Sequence, residues 1–198
     1  MASTRDRLLS EGMRLFGERG YGATSVAEIE AAAGLRPGSG SLYRHFASKE
    51  ELLAAGLERL LADAHEKPLV NDPSGAEDPE ELLRAATRSG LRHMDHGRDL
   101  SRLLFRGLDT FPPLLERFGD AELRVMHEQL TGLLTRLAGD ETGETDWGAV
   151  AVVLQGAVAH YWLVRDLFGE HPVEVDEDRF VRAAAAMVAA LLAEHSGR

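Results

Sequence analysis

Tyr43, Arg44, His45 and Lys49 place a phenol, a guanidinium, an imidazole and an ammonium within seven positions. All four can donate hydrogen bonds, and two are permanent cations near neutral pH. Such a cluster suits an anion, above all the phosphates of a nucleic acid, with the histidine also able to reach a base edge. From Ala31 through Lys49 the chain holds no acidic residue, while Arg36, Arg44 and Lys49 fall inside that stretch. Simpler readings exist for each residue: Tyr43 as an ordinary surface tyrosine, His45 as a solvated histidine, Arg44 as a solvated arginine. Lys49 is different. It opens a helix, where the dipole disfavours a cation, and a phosphate at that helix start would satisfy both the lysine and the free amides.

Positioning these groups requires short helices. Ser25 and Glu28 have the spacing of a capping box, and Val26, Ile29 and Ala33 give the following helix one apolar side. Gly34 supplies a sharp stop, and Arg36-Pro37-Gly38 forbids further helix. Ser39 or Ser41 can cap a second helix to about Phe46, with Leu42 and Phe46 inward and Tyr43, Arg44 and His45 outward. Ser48 and Glu51 form another box, opening a long helix to about His65 with Leu52, Leu53, Leu57, Leu60 and Leu61 on its buried side. A helix over 4–19, ended by Gly20, precedes them, and Leu8, Leu15, Phe16, Val26, Ile29, Leu42 and Phe46 close a small core. Residues 25–46 read as a helix-turn-helix.

The run Leu42-Tyr43-Arg44-His45-Phe46, then Ser48-Lys49-Glu50-Glu51-Leu52, resembles the end of the DNA-binding segment of the tetracycline-repressor (TetR) family. Leu15-Phe16, Gly20-Tyr21, Thr24, Val26, Ile29 and Ala33-Gly34 match that family's pattern in order, so the resemblance covers roughly residues 4–62. It implies DNA contacts from Thr24, Ser25, Arg36, Ser39, Ser41, Tyr43, Arg44, His45 and Lys49. One departure stands out: Arg36-Pro37-Gly38-Ser39-Gly40 makes the turn about two residues longer than the family's commonest spacing. Tyr43, His45 and Lys49 carry over well; base-reading positions at 36–41 carry over poorly.

The net charge of −11 speaks against a nucleic-acid partner until its distribution is seen. Residues 1–60 hold eight basic and eight acidic residues, and residues 61–198 hold fourteen and twenty-five, so the whole imbalance lies in the second part. Binding to DNA depends on the local field, and an acidic body keeps the rest of the chain off the duplex. The absence of cysteine excludes disulfides and thiolate metal sites, and the N-terminus lacks the apolar run of a signal peptide. A cytoplasmic protein is expected.

The expected organisation is all-α: a DNA-binding domain over 1–62 and a helical ligand-binding and dimerisation domain over 63–198. Residues 67–79 read as a loop, with Asp78 capping a helix and Pro79 in its first turn. Further helices are expected over 98–108, 114–137 with a break near Gly119-Asp120, 147–164 and 176–195. Trp147–Val164 has no charge over eighteen residues, which touches the lower limit of a membrane span. Gln155, His160 and its small residues favour a helix buried in protein instead, so no membrane partner is expected. Trp147, Ala151, Leu154, Val158 and Tyr161 form one stripe, and Gly148, Val152, Gly156, Ala159 and Leu163 a second. A helix apolar all round must be covered all round. The family resemblance implies a homodimer whose last two helices, here 147–168 and 176–195, form a four-helix interface.

His93-Met94-Asp95-His96 has metal-ligand spacing, yet no third ligand is marked nearby, and no metal site or other cofactor is expected. Phe105, Met126, His127, Trp147, His160 and Tyr161 are large or polar-tipped residues on body helices and are candidates to line a cavity. The resemblance implies such a pocket, for a small apolar or amphiphilic effector. No HExxH, GxSxG or phosphate-binding glycine loop is present, and no catalytic residue is expected. The expected function is a repressor that binds a palindromic operator and is released by a small molecule. The alternative is a helical small-molecule-binding protein or enzyme whose helix-turn-helix no longer reads DNA.

Overall fold

The computed structural model describes residues 3–65, 78–106, 111–139 and 145–196, and every regular element among them is helical. In order these are α1 (Thr4–Arg19), α2 (Val26–Ala32), a 3₁₀ turn (Leu42–Arg44), α3 (Lys49–His65), α4 (Pro79–His96), α5 (Arg98–Arg106), α6 (Pro112–Phe118), a π turn (Gly119–Leu123), α7 (Arg124–Ala138), α8 (Trp147–Phe168) and α9 (Glu177–Ser196).

The helix starts are capped by residues whose spacing announces them. Ser25 Oγ accepts from Glu28 N at 3.3 Å while the Glu28 carboxylate accepts from Ser25 N at 2.8 Å. Ser48 Oγ accepts from Glu51 N at 3.0 Å, and Asp78 accepts from Glu80 N at 3.0 Å ahead of Pro79. Gly139, at φ +60°, ends α7. The break expected near Gly119-Asp120 is the π turn.

Two compact units form, and neither is a continuous stretch. The first comprises Met1–Glu66 and Gly97–Ala121; the second comprises Lys67–His96 and Glu122–Arg198. A linear division at residue 62 therefore does not describe the packing, because α5 and α6 join the N-terminal helices. Leu100, Leu103 and Phe118 share one buried cluster with Leu8, Phe16, Ile29, Leu42, Phe46, Leu52, Leu53 and Leu57. Burial of each such side chain contributes about 1.5–3 kcal/mol. α1 meets α5 at Gly17, where an added Cβ would lie 2.9 Å from the Asp99 carbonyl oxygen, so only glycine permits this approach.

In the second unit α4 packs on α9 and α8, and α7 on α8. Leu83, Leu130, Leu134, Trp147, Ala151, Leu154 and Ala185 fill one cluster. Leu91, Val158, Tyr161, Trp162 and Val181 fill another. Asp95 ties helices together there: it accepts from Trp162 Nε1 at 2.9 Å and from Arg165 Nη2 at 2.8 Å, and Arg165 also reaches Glu177 at 2.7 Å.

Of the two stripes on α8, the first is buried as its spacing predicts. The second is not: Val152 is 59% exposed, and a Cβ placed on Gly156 would meet nothing within 4 Å. Only 33% of the apolar window of α8, a helix long enough to cross a membrane, is covered by its own chain. On α9, Met187 is 70% exposed and Leu191 44%.

Candidate nucleic-acid interface

After α2 the chain turns at Gly34, Gly38 and Gly40, all near φ +71°, a region that L side chains rarely adopt. The second helix of the expected helix-turn-helix is only the 3₁₀ turn Leu42–Arg44. Leu42 and Phe46 are buried as expected, and Tyr43, Arg44 and His45 face solvent, Tyr43 with 58% of its surface exposed. Arg36 and Ser39 are also exposed on the loop before it.

The expected serine cap is absent. Ser41 is buried and makes no capping hydrogen bond; its hydroxyl lies between Ser39 Oγ at 2.7 Å and Arg44 Nη2 at 2.6 Å. The two carboxylate oxygens of Glu30, a residue with no exposed surface, accept instead from Leu42 N at 3.0 Å and Ser39 N at 3.1 Å. Glu30 was visible in the sequence: Val26, Ile29, Glu30 and Ala33 make one i, i+3, i+4, i+7 stripe, so an acid sits on the buried side.

Three further candidates are used inside the protein. The Thr24 side chain is buried, and its hydroxyl donates to Gly20 O at 2.9 Å, which corrects its expected role as an outward contact. Ser25 is exposed, but its hydroxyl is engaged with Glu28. Lys49 does have a structural role, contrary to expectation. Its ammonium donates to Tyr21 O and Thr24 O, each at 2.8 Å, and lies 4.0 Å from the Tyr21 ring centroid. Partial burial lowers its pKa. It clamps the α1–α2 connection to the start of α3. Two of its three protons are thereby committed, whereas Tyr43, Arg44, His45, Arg36 and Ser39 form the outward set.

Residues 8–55 match the family model described as bacterial regulatory proteins, tetR family. The chain is 31% identical over 182 residues to the transcriptional activator FasR of Mycolicibacterium smegmatis, a match spanning 87% of this chain and 76% of that one. The chain belongs to the tetR family. The transcriptional repressor KstR2 of the same organism is 45% identical over 60 residues, 30% of this chain and 28% of the repressor. Another curated regulator, TcmR of Streptomyces glaucescens, is matched over 61% of its length. Among solved structures, the TetR-family regulator PfmR of Thermus thermophilus superposes with a TM-score of 0.63 at 29% identity, covering 97% of each chain. The tetR-family membership makes this a DNA-binding transcriptional regulator.

The residues expected to line a pocket in this tetR-family chain stand in different surroundings. Phe105 is half exposed and belongs to the first unit. Trp147 and Tyr161 are buried in two different clusters. Tyr161 donates its hydroxyl to Val175 O at 3.0 Å and stacks on Phe180, which makes it a satisfied core residue. His160 is exposed, and Met126 half-buried. His127 keeps the strongest claim: Nε2 lies 3.5 Å from Thr131 Oγ1, and Nδ1 is buried without a hydrogen-bond partner among the described residues. His93 pairs with the buried Glu122, and His96 Nδ1 with Arg92 O at 2.8 Å.

Proposed function

We propose that this chain is a ligand-responsive tetR-family regulator that binds a palindromic operator as a homodimer, acting as a repressor in the cytoplasm. The observation that carries the reading is the outward group Tyr43, Arg44 and His45, held over buried Leu42 and Phe46 in a stretch without an acid. Phosphate contacts from such residues set register, while the loop before them reaches base edges. The exposed apolar stripe of α8 and the outer residues of α9 support pairing with a second copy, which would place two readers on one face of the duplex. Repression draws on the likeness to the repressor KstR2 over 60 residues; the FasR likeness makes activation the competing outcome.

Effector release rests on α3, a continuous helix from the reader to the point where the chain first leaves the first unit. A rigid rod can turn repacking around a small apolar or amphiphilic molecule into displacement of the reader. A coupling of about 1–3 kcal/mol lowers DNA affinity about 5- to 150-fold, and DNA must weaken the effector by the same factor. Selection from random duplex DNA at fixed salt is the test. Enrichment of a symmetric site is expected; enrichment of none removes the reading.

A further inference from the structure

We infer that Glu30 is a specificity-determining positioning residue, whose buried carboxylate sets the shape of the lengthened turn that carries the exposed Arg36 and Ser39 to the bases. The first amides of a helical turn lack intrahelical partners, and a local Ser, Thr, Asp or Asn side chain ordinarily receives one of them. Ser41 does not. Glu30 reaches across nine and twelve positions to take the amides of Ser39 and Leu42, one on each oxygen, the Ser39 amide being shared with Arg36 O at 3.2 Å. A carboxylate is the side chain that suits this pair, because both of its oxygens accept and neither donates. The charge also strengthens both bonds.

The need for such a tether lies in the loop. Gly34, Gly38 and Gly40 all take left-handed backbone angles, and a segment so rich in glycine has wide freedom unless something holds it. Glu30 holds both ends of the last four residues before the reader. It has no exposed surface, so water does not compete for its carboxylate. An acid this close to a polyanion would repel it if exposed; here its charge is spent on main-chain donors.

Base contacts tolerate little displacement, whereas phosphate contacts fix general register. Loss of the tether should therefore lower sequence preference more than affinity. The inference rests on the operator-binding reading, and the test separates the two. Full-length wild type, Glu30→Gln and Glu30→Ala would be compared by selection from random duplexes and by competition at fixed salt. Glutamine keeps one acceptor and turns a donor toward the other amide, so an intermediate effect is expected. For Glu30→Ala the ratio of specific to non-specific affinity should fall about tenfold or more, the size of a lost base contact, with an unchanged salt slope. In DNA-free protein, amide hydrogen exchange should quicken at Ser39 and Leu42 and not at Ala33, whose amide is held by Ile29 O. Unchanged preference in both variants overturns the inference, as does unchanged exchange at Ser39 and Leu42. Equal loss of specific and non-specific affinity overturns it too, since a merely structural role would act that way. If Glu30→Ala unfolds, Glu30→Gln decides. Failure of the wild type to enrich any site would instead sink the operator reading, together with the specificity built on it.

Discussion

The reader and the outer face of α8 and α9 depart from their sequence patterns in opposite directions. Around the reader, polar residues that look available are consumed: Thr24, Ser41 and Lys49 all bond within the protein, and Glu30 is fully buried. On α8 and α9, apolar residues that look like core are left out: Val152, Val153, Met187 and Leu191 are all exposed. The first pattern belongs to a surface whose shape is fixed before anything binds. The second fits the proposed pairing with a second copy. Polarity alone therefore separates inside from outside poorly here; partner geometry does it.

The largest way to break this contrast is Gly156→Arg. The single chain has open space at that position, so the variant should fold with wild-type helicity. A paired interface would bury an unmatched charge and weaken self-association by about 3–5 kcal/mol. Light scattering showing an unchanged oligomeric state would mean that α8 is not the covered face.

Lys49→Ala tests the other side. Removing the ammonium takes a donor from the carbonyls of Thr24 and Tyr21, the latter keeping Thr24 N at 3.3 Å, and a loss of about 1–3 kcal/mol in folding stability is expected. A lysine that served phosphate alone would leave the melting midpoint in place and lower only the salt slope, by about one per half-site contact. Thermal melts read beside salt titrations distinguish the two.

The smallest effect should come from Tyr43→Phe, which removes one hydroxyl from a residue that is 58% exposed. Stability should stay within about 0.5 kcal/mol, while affinity falls by about 0.5–1.5 kcal/mol for every DNA sequence alike. A change in preferred sequence would move Tyr43 from the phosphate-contacting set to the base-reading set.

Local patterns in the chain were legible where their causes are local. The Ser25–Glu28 box, the Asp78–Pro79 start and the buried stripe from Trp147 to Tyr161 follow from spacing, and each stands where that spacing puts it. Long-range partners were not legible. The acceptors of Lys49 lie 25 and 28 positions away, and nothing in the lysine's own neighbourhood announces them. The second helix shrank to a 3₁₀ turn because glycines at 38 and 40 take the chain out of helical geometry until residue 41. Pocket residues were not legible because a large side chain on an apolar stripe has the same signature in a core as in a cavity. Tyr161 shows the ambiguity, its hydroxyl being satisfied by a main-chain carbonyl.

The discontinuity of the first unit also governs the order in which the molecule can be made. Its core includes Leu100, Leu103 and Phe118, so a nascent chain that has emerged only through α3 still lacks one wall of the reader. The second unit begins at Lys67, before the first is complete, and resumes at Glu122. Domains usually close one after another as they leave the ribosome. Here the two are interleaved: the reader cannot finish until residue 121 is out, by which time α4 has been waiting for α8 and α9. A fragment ending after α3 would meet the same deficit, with the α5-facing side of α1 bare at Gly17.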